Sequence, residues 1–208
     1  MSLFNDVTNK PWNHVGLPDG IEPKPVFSSS DASIALTIFL IIVSVIFSLF
    51  LVAYFIRMEL GDWVPLALPG QLWLNTAALL GSSVFMQLAV LRNYRQTNTD
   101  FSSGAGLMFF IGGVLAIAFI AGQYLVWDSL VAAGQGVRSN PANAFFFLLT
   151  AVHAVHLLGG LWVWSRALFR IANNIASPAI QQSMKLCAVY WHFLLLIWVG
   201  LFVLLSYT

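Results

Sequence analysis

The chain has 208 residues, of which 59% are hydrophobic and 14% aromatic, whereas only 8% are charged. Soluble domains carry about 25% charged residues, so this composition excludes a water-facing globular surface and points to a polytopic membrane protein. The net charge of +1, with Lys and Arg placed at the ends of apolar runs, excludes nucleic-acid binding through a basic patch.

Residues 1–32 are polar and turn-rich ("NKPWNHVGLPDGIEPKP"). They lack the short apolar core and small-residue cleavage site of a secretory signal, so the first span is expected to serve as its own insertion signal. His14 is expected in water or among headgroups. Five windows of about 20 apolar residues, the length that crosses a bilayer core, follow. They lie at about 33–57, ended by Arg57, and about 72–91, introduced by Pro65 and Pro69 and closed by Arg92. The third is about 105–127, the fourth about 143–164 after a loop with Gly134, Gly136 and Pro141, and the fifth about 184–206. The expected architecture is all-α: a single five-helix transmembrane domain over 33–208, with no internal repeat and no separate soluble domain.

Basic residues orient the bundle. Lys10, Lys24, Arg92, Arg95, Arg166, Arg170 and Lys185 fall on one side and Arg57 and Arg138 on the other. Lys and Arg accumulate on the cytoplasmic side, which predicts a cytoplasmic N-terminus and a periplasmic C-terminus. Trp127, Trp162 and Trp164 stand near predicted span ends, as an interfacial aromatic belt would place them.

Membrane proton relays are built from buried carboxylates, and no Asp or Glu lies deep in a predicted span; Glu59 and Asp128 sit at span ends. The single cysteine, Cys187, excludes an internal disulfide or a paired-cysteine copper centre and reads as a small apolar side chain.

Polar groups inside the spans are few, and the run "AVHAVHLLGG" carries two of them, His153 and His156. Spaced i, i+3 on one helical face, they cannot both bind one haem axially, although His192 in the fifth span could oppose either. A three-histidine metal site is open by count, yet structural zinc takes four ligands and hydrolytic zinc wants a nearby carboxylate. The residues alone therefore favour structural use. Gly159 and Gly160 after the histidine pair, and Gly112, Gly113 and Gly122 in the third span, suit close helix packing. A neutral imidazole offers one donor and one acceptor, so His153, His156 and His192 with Gln123, Tyr190 and Trp191 are expected to form a polar seam inside the bundle.

Four fragments in order along residues 33–206 resemble subunit III of the haem–copper terminal oxidases. They are "LNTAALLGSS", "GQYLVW", "VHAVHLLGG" and "YWHFLLLIWVGLF". The five spans are similar to the family's five-helix bacterial form. The resemblance implies a non-catalytic subunit with no haem or copper of its own, those groups belonging to partner subunits. It implies packing against subunit I beside subunit II, bound phospholipid, support of proton uptake during oxygen reduction, and the bacterial inner membrane. Among the six seam residues it implies contact with lipid or subunit I. Val43, Val126 and Leu195 stand where the family has acids, so the scaffold and lipid roles carry over and a proton role of those acids does not. The electron donor, cytochrome c in preference to quinol, would be chosen by other subunits; the five-helix form also recurs in nitric oxide reductase operons. A reading of another class stays open at this point: a stand-alone b-type membrane cytochrome or metal-dependent membrane enzyme using His153, His156 and His192.

Overall fold

A computed structural model describes residues 31–95, 104–173 and 178–207. The polar N-terminal segment, with Lys10, His14 and Lys24, lies outside the described residues except at Asp31 and Ala32. Among the described residues the fold is all-helical, with five helices long and apolar enough to cross a membrane. These are α1 (Asp31–Met58), α2 (Gln71–Arg95), α3 (Ala105–Ala132), α4 (Pro141–Ala172) and α5 (Pro178–Tyr207).

All five expected spans are present, but several helices outrun their apolar windows. The window for the fourth span closes at Trp164, whereas α4 continues to Ala172. The reason is periodicity: Ser165, Arg166 and Arg170 face outward while Ala167 and Ile171 stay buried, so the inward stripe persists where the overall hydropathy falls. An apolar window measures hydrocarbon thickness, not the end of the helix. Trp164 is consequently not at a helix end. It is buried, and its indole N–H donates to the Phe109 carbonyl on α3 at 2.9 Å, which corrects the belt expectation for this residue. Trp127 is likewise half-buried and donates to the Thr150 hydroxyl at 3.0 Å, whereas Trp162 is outward.

Buried positions recur at alternating steps of three and four. On α2 they are Leu72, Asn75, Thr76, Leu79, Ser82, Ser83, Met86, Ala89, Val90 and Asn93. On α5 the same rhythm runs Ile180, Met184, Cys187, Trp191, Leu194, Trp198, Leu201 and Leu205. That is the heptad seam of knobs-into-holes packing. Lipid tails are as apolar as leucine, so close fit and interhelical hydrogen bonds, rather than escape from water, hold such a seam together.

Small residues supply the close fit. A Cβ on Gly113 would run into the Trp164 indole, one on Gly122 into the Asn75 amide, and one on Gly160 would lie 2.6 Å from the Tyr190 ring. Gly112 faces Met86 and the Ser82 carbonyl oxygen, each at just over 3 Å. Gly159 differs from the packing expectation, since its Cβ position meets nothing within 4 Å among the described residues.

The α2–α3 interface is the most extensive, and α5 closes against both α2 and α4. Helix α1 is the least enclosed: Val43, Phe47 and Tyr54 are its buried residues. Its inner face is aromatic, with Tyr54 set edge-on to Trp63 at 4.9 Å and to Phe145 at 5.5 Å. The α1–α2 and α3–α4 connections lie at one end of the bundle, where Asn140 both caps α4 and donates from Nδ2 to the Val64 carbonyl at 2.5 Å. In the same connection the Arg57 guanidinium donates to both oxygens of Asp62 at 2.6 and 2.5 Å. These hydrogen bonds hold the Asp62 carboxyl below the usual carboxylate range.

Candidate functional site

The polar chemistry of the spans is concentrated on α2. From one end of the helix to the other, its buried face presents Asn75, Thr76, Ser82 and Ser83, with Gln87 half-buried beside them. Four bonds tie this face to α5, which runs antiparallel to it. Trp198 donates its indole N–H to Thr76 at 3.0 Å and Trp191 donates to Ser82 at 2.8 Å. His192 bonds Ser83 through Nδ1 and Gln87 through Nε2, the latter at 2.9 Å. The Gln87 Oε1 can only accept, so Nε2 carries the proton, and in the neutral imidazole Nδ1 then accepts from the Ser83 hydroxyl.

Further bonds join α2 to α3. The Ser82 hydroxyl donates to the Gly112 carbonyl at 2.6 Å, and Asn75 donates to Gln123 Oε1 at 3.4 Å. Thr76, having accepted from Trp198, donates to its own helix at Leu72 O at 2.8 Å. Thr76 and Ser82 therefore each accept from an indole on α5 and pass their own proton to a carbonyl, whereas Ser83 donates to the His192 ring; both arrangements satisfy polar groups that hydrocarbon could not.

Of the six seam candidates, five make side-chain bonds, but no two of their side chains bond each other. Gln123 pairs with Asn75, Trp191 with Ser82, and His192 with Ser83 and Gln87. Tyr190 donates its hydroxyl to the His156 carbonyl at 2.8 Å and so joins α5 to α4. The His156 ring itself turns back on α4, donating from Nδ1 to Val152 O at 2.7 Å, and lies against Phe47 and Phe39 of α1 at 5.6 and 6.3 Å.

His153 departs most from expectation. It is 0% exposed, and neither ring nitrogen has a partner among the described residues. Its ring is held by aromatic neighbours, Trp198 at 5.3 Å and Phe119 edge-on at 5.8 Å. The expected seam is therefore not a single histidine-centred line. Aromatic rings fill the space around His153, and the N–H of its neighbour Trp198 is directed to Thr76.

The three histidines do not converge. One lies between Phe119 and Trp198, one faces α1, and one is bonded to α2. The constellation that a haem- or metal-based reading of His153, His156 and His192 requires is thus not assembled. Among the described residues no group of three or more His, Cys, Asp and Glu side chains is placed to share an ion.

Sequence reasoning centred on histidines missed the receiving side of the network: Asn75, Thr76, Ser82, Ser83 and Gln87. Their signal was available as spacing, since Asn75 and Ser82, and Thr76 and Ser83, are each one heptad apart within an apolar window.

Two further recesses lie at the other side of α4. An apolar groove of about 330 Å³ between α1, α4 and α5 is lined by residues including Phe39, Gly160, Val163, Cys187 and Tyr190. Ser165, Arg166, Phe169 and Arg170 line a second, wider recess along the last turns of α4.

Comparison with known proteins places this architecture. The profile described as cytochrome c oxidase subunit III matches residues 27–208. The chain is 29% identical over 128 residues to the cytochrome c oxidase subunit 3 of Corynebacterium diphtheriae, covering 62% of this chain and 60% of that protein. It is 30% identical over 147 residues to the probable cytochrome c oxidase subunit 3 of Nocardia farcinica, covering 68% and 70%. It is 25% identical over 128 residues to the cytochrome bo(3) ubiquinol oxidase subunit 3 of Pseudomonas putida, covering 62% and 60%. The matched stretch thus spans about three fifths of the Corynebacterium and Pseudomonas proteins.

Proposed function

The chain belongs to the cytochrome c oxidase subunit III family, and from that premise we propose that it is the non-catalytic third subunit of a proton-translocating aerobic terminal oxidase. In this role it packs against subunit I, beside subunit II and other subunits of the complex, in the bacterial inner membrane. Haem and copper reside in those partners. The chain comprises the polar segment 1–32 and one transmembrane domain over 33–208, with its N-terminus cytoplasmic and its C-terminus periplasmic.

The observation that carries the proposal is the family match over 27–208. A scaffold role is supported by the use of Thr76, Ser82, Ser83, Trp191 and His192 as bonds between helices. Support of proton uptake would be indirect, by holding subunit I in its working shape, because Val43 and Val126 are buried apolar side chains and Leu195 is half-buried. Phospholipid binding is supported by the groove between α1, α4 and α5, whose apolar walls suit an acyl chain. Arg166 and Arg170 nearby on α4 suit a lipid phosphate. The donor is proposed to be cytochrome c, since two of the three relatives described above carry that name.

A tagged chain solubilised in mild detergent tests the proposal. It should co-purify with haem-bearing subunits and oxygen-consuming activity. After harsher detergent strips the tagged chain away, the haem Soret band should remain with the partners. A Soret band that follows the isolated chain, or the absence of any oxidase subunit in the preparation, would overturn it.

A further inference from the structure

Helix midpoints mark the depth at which a membrane offers a side chain least. Ser83 is the middle residue of α2 and His192 stands at the middle of α5. Gln87 is one turn further along α2, about 6 Å, well inside a hydrocarbon core whose half-thickness is about 15 Å. Ser83 is buried, but the bond between His192 and Gln87 lies on the outside of the bundle, His192 being exposed and Gln87 half-exposed.

At that depth the outward Ser48 bonds within its own helix, donating to the Ser44 carbonyl at 2.8 Å, and the half-buried His156, packed against α1, likewise donates to the Val152 carbonyl at 2.7 Å. Gln87 differs. Its Oε1 receives His192, while its amide N–H groups find no acceptor among the described residues. Acyl chains contain no acceptor, and headgroups do not reach the midplane, so another protein chain must supply one.

The surroundings suit a helix. On α5 the outward stripe runs Val189, His192, Leu196, Val199, Gly200 and Val203, and on α2 it includes Leu80, Val84 and Leu88. Gly200, two turns from His192, has nothing within 4 Å of its Cβ position among the described residues. A small residue open to the outside, in line with a polar midplane pair, is the pattern by which one membrane helix admits the backbone of another.

We propose that the α2–α5 face centred on Gln87 and His192 is the surface on which a membrane-spanning helix of the partner oxidase subunit docks, with an oxygen of that helix accepting from the Gln87 amide. The proposal rests on the subunit reading above and deepens it by selecting one face. It selects His192, and not His153 or His156, as the histidine at the subunit boundary. It also separates this boundary from the groove between α1, α4 and α5.

Photo-crosslinking in the intact complex tests it. A photoreactive residue is placed at Val84 or Leu196 on this face, and at Ile117 on α3 or Val155 on α4 as controls; all four are exposed. Val84 and Leu196 should give adducts with a partner oxidase subunit, and the controls should give none. Gly200→Leu, at an outward position whose Cβ meets nothing within 4 Å among the described residues, should leave the bundle folded but lower retention of the subunit in a detergent wash at least threefold. Gln87→Leu should lower retention about threefold, the factor that one interhelical hydrogen bond in a membrane carries. Adducts from the control positions only, adducts of Val84 and Leu196 with lipid or a second copy of this chain only, or full retention of Gly200→Leu would each overturn the assignment of this face while the subunit still co-purifies with the oxidase. Loss of all co-purifying oxidase subunits from the unaltered chain would instead overturn the proposed function, and this surface with it.

Discussion

The Trp191 indole N–H donates to the Ser82 hydroxyl at 2.8 Å, and that hydroxyl donates onward to the Gly112 carbonyl at 2.6 Å. One oxygen thus joins α5, α2 and α3, with Trp191 and Ser82 both 0% exposed. Ser82→Ala removes two bonds and strands a buried indole N–H, a cost of about 1–3 kcal/mol for the orphaned group beyond the bonds themselves. The expected outcome is normal insertion with a lowered thermal midpoint in detergent. Trp191→Phe in the same chain removes the orphan, so the double variant should lose less than the sum of the singles. Additive losses in a double-mutant cycle would show that the two side chains are not coupled.

The environments of buried His153 and exposed, hydrogen-bonded His192 predict opposite responses to the same change. His153 has no hydrogen-bond partner among the described residues, so His153→Leu discards no bond and should change stability by less than about 1 kcal/mol. His192→Leu breaks the bonds to Ser83 and Gln87 and should cost about 1–3 kcal/mol. Unfolding of each variant in mixed micelles, compared with the parent, measures the order. A larger loss at His153 than at His192 would contradict it.

Glycines on α3 and α4 should divide by what their missing side chain would meet. A methyl group on Gly113 collides with the Trp164 indole and displaces its bond to the Phe109 carbonyl, so Gly113→Ala should destabilise by about 1–3 kcal/mol. Gly159→Ala adds a methyl group to open space and should be neutral or slightly stabilising, since alanine is the better helix former. Melting curves and Trp164 fluorescence in the two variants separate the outcomes.

Topology is testable at two positions. Reporter fusions after Asn173 and at Thr208 should give a cytoplasmic and a periplasmic signal respectively, as the placement of Arg92, Arg166, Arg170 and Lys185 at one end implies. A cytoplasmic signal at Thr208 would reverse the assignment.

The Arg57–Asp62 pair predicts a small, local pH response. Asp62 has its carboxyl pKa lowered from 3.8 by the Arg57 hydrogen bonds. A depressed acid contributes stability that is present above its unfolded value and lost as pH falls through its folded value. Ordering of the Arg57–Asp62 connection should therefore hold down to the ordinary carboxylate range and loosen below it. Asp62→Asn should remove that transition, and carboxyl-carbon NMR of Asp62 should show a midpoint below 3.8.

Composition and the length of apolar runs determine by themselves that this is a membrane protein of five helices, because backbone groups in hydrocarbon must bond within their own helix and only a run of about 20 apolar residues can cross. Helix ends were less legible: α4 extends past Trp164 because an inward stripe of Ala167 and Ile171 outlasts the apolar window. Short ordered fragments such as "LNTAALLGSS" and "YWHFLLLIWVGLF" made the family legible as well. What only the tertiary structure decided is which polar groups meet. Imidazoles at His153 and His192 have the same chemistry on paper. One faces Phe119 and Trp198 and bonds nothing among the described residues, while the other bonds Ser83 and Gln87 across a helix boundary. Periodicity can state which face of a helix turns inward, but the partner on that face is set by the relative height and rotation of two helices, a relation that no single helix's residues encode.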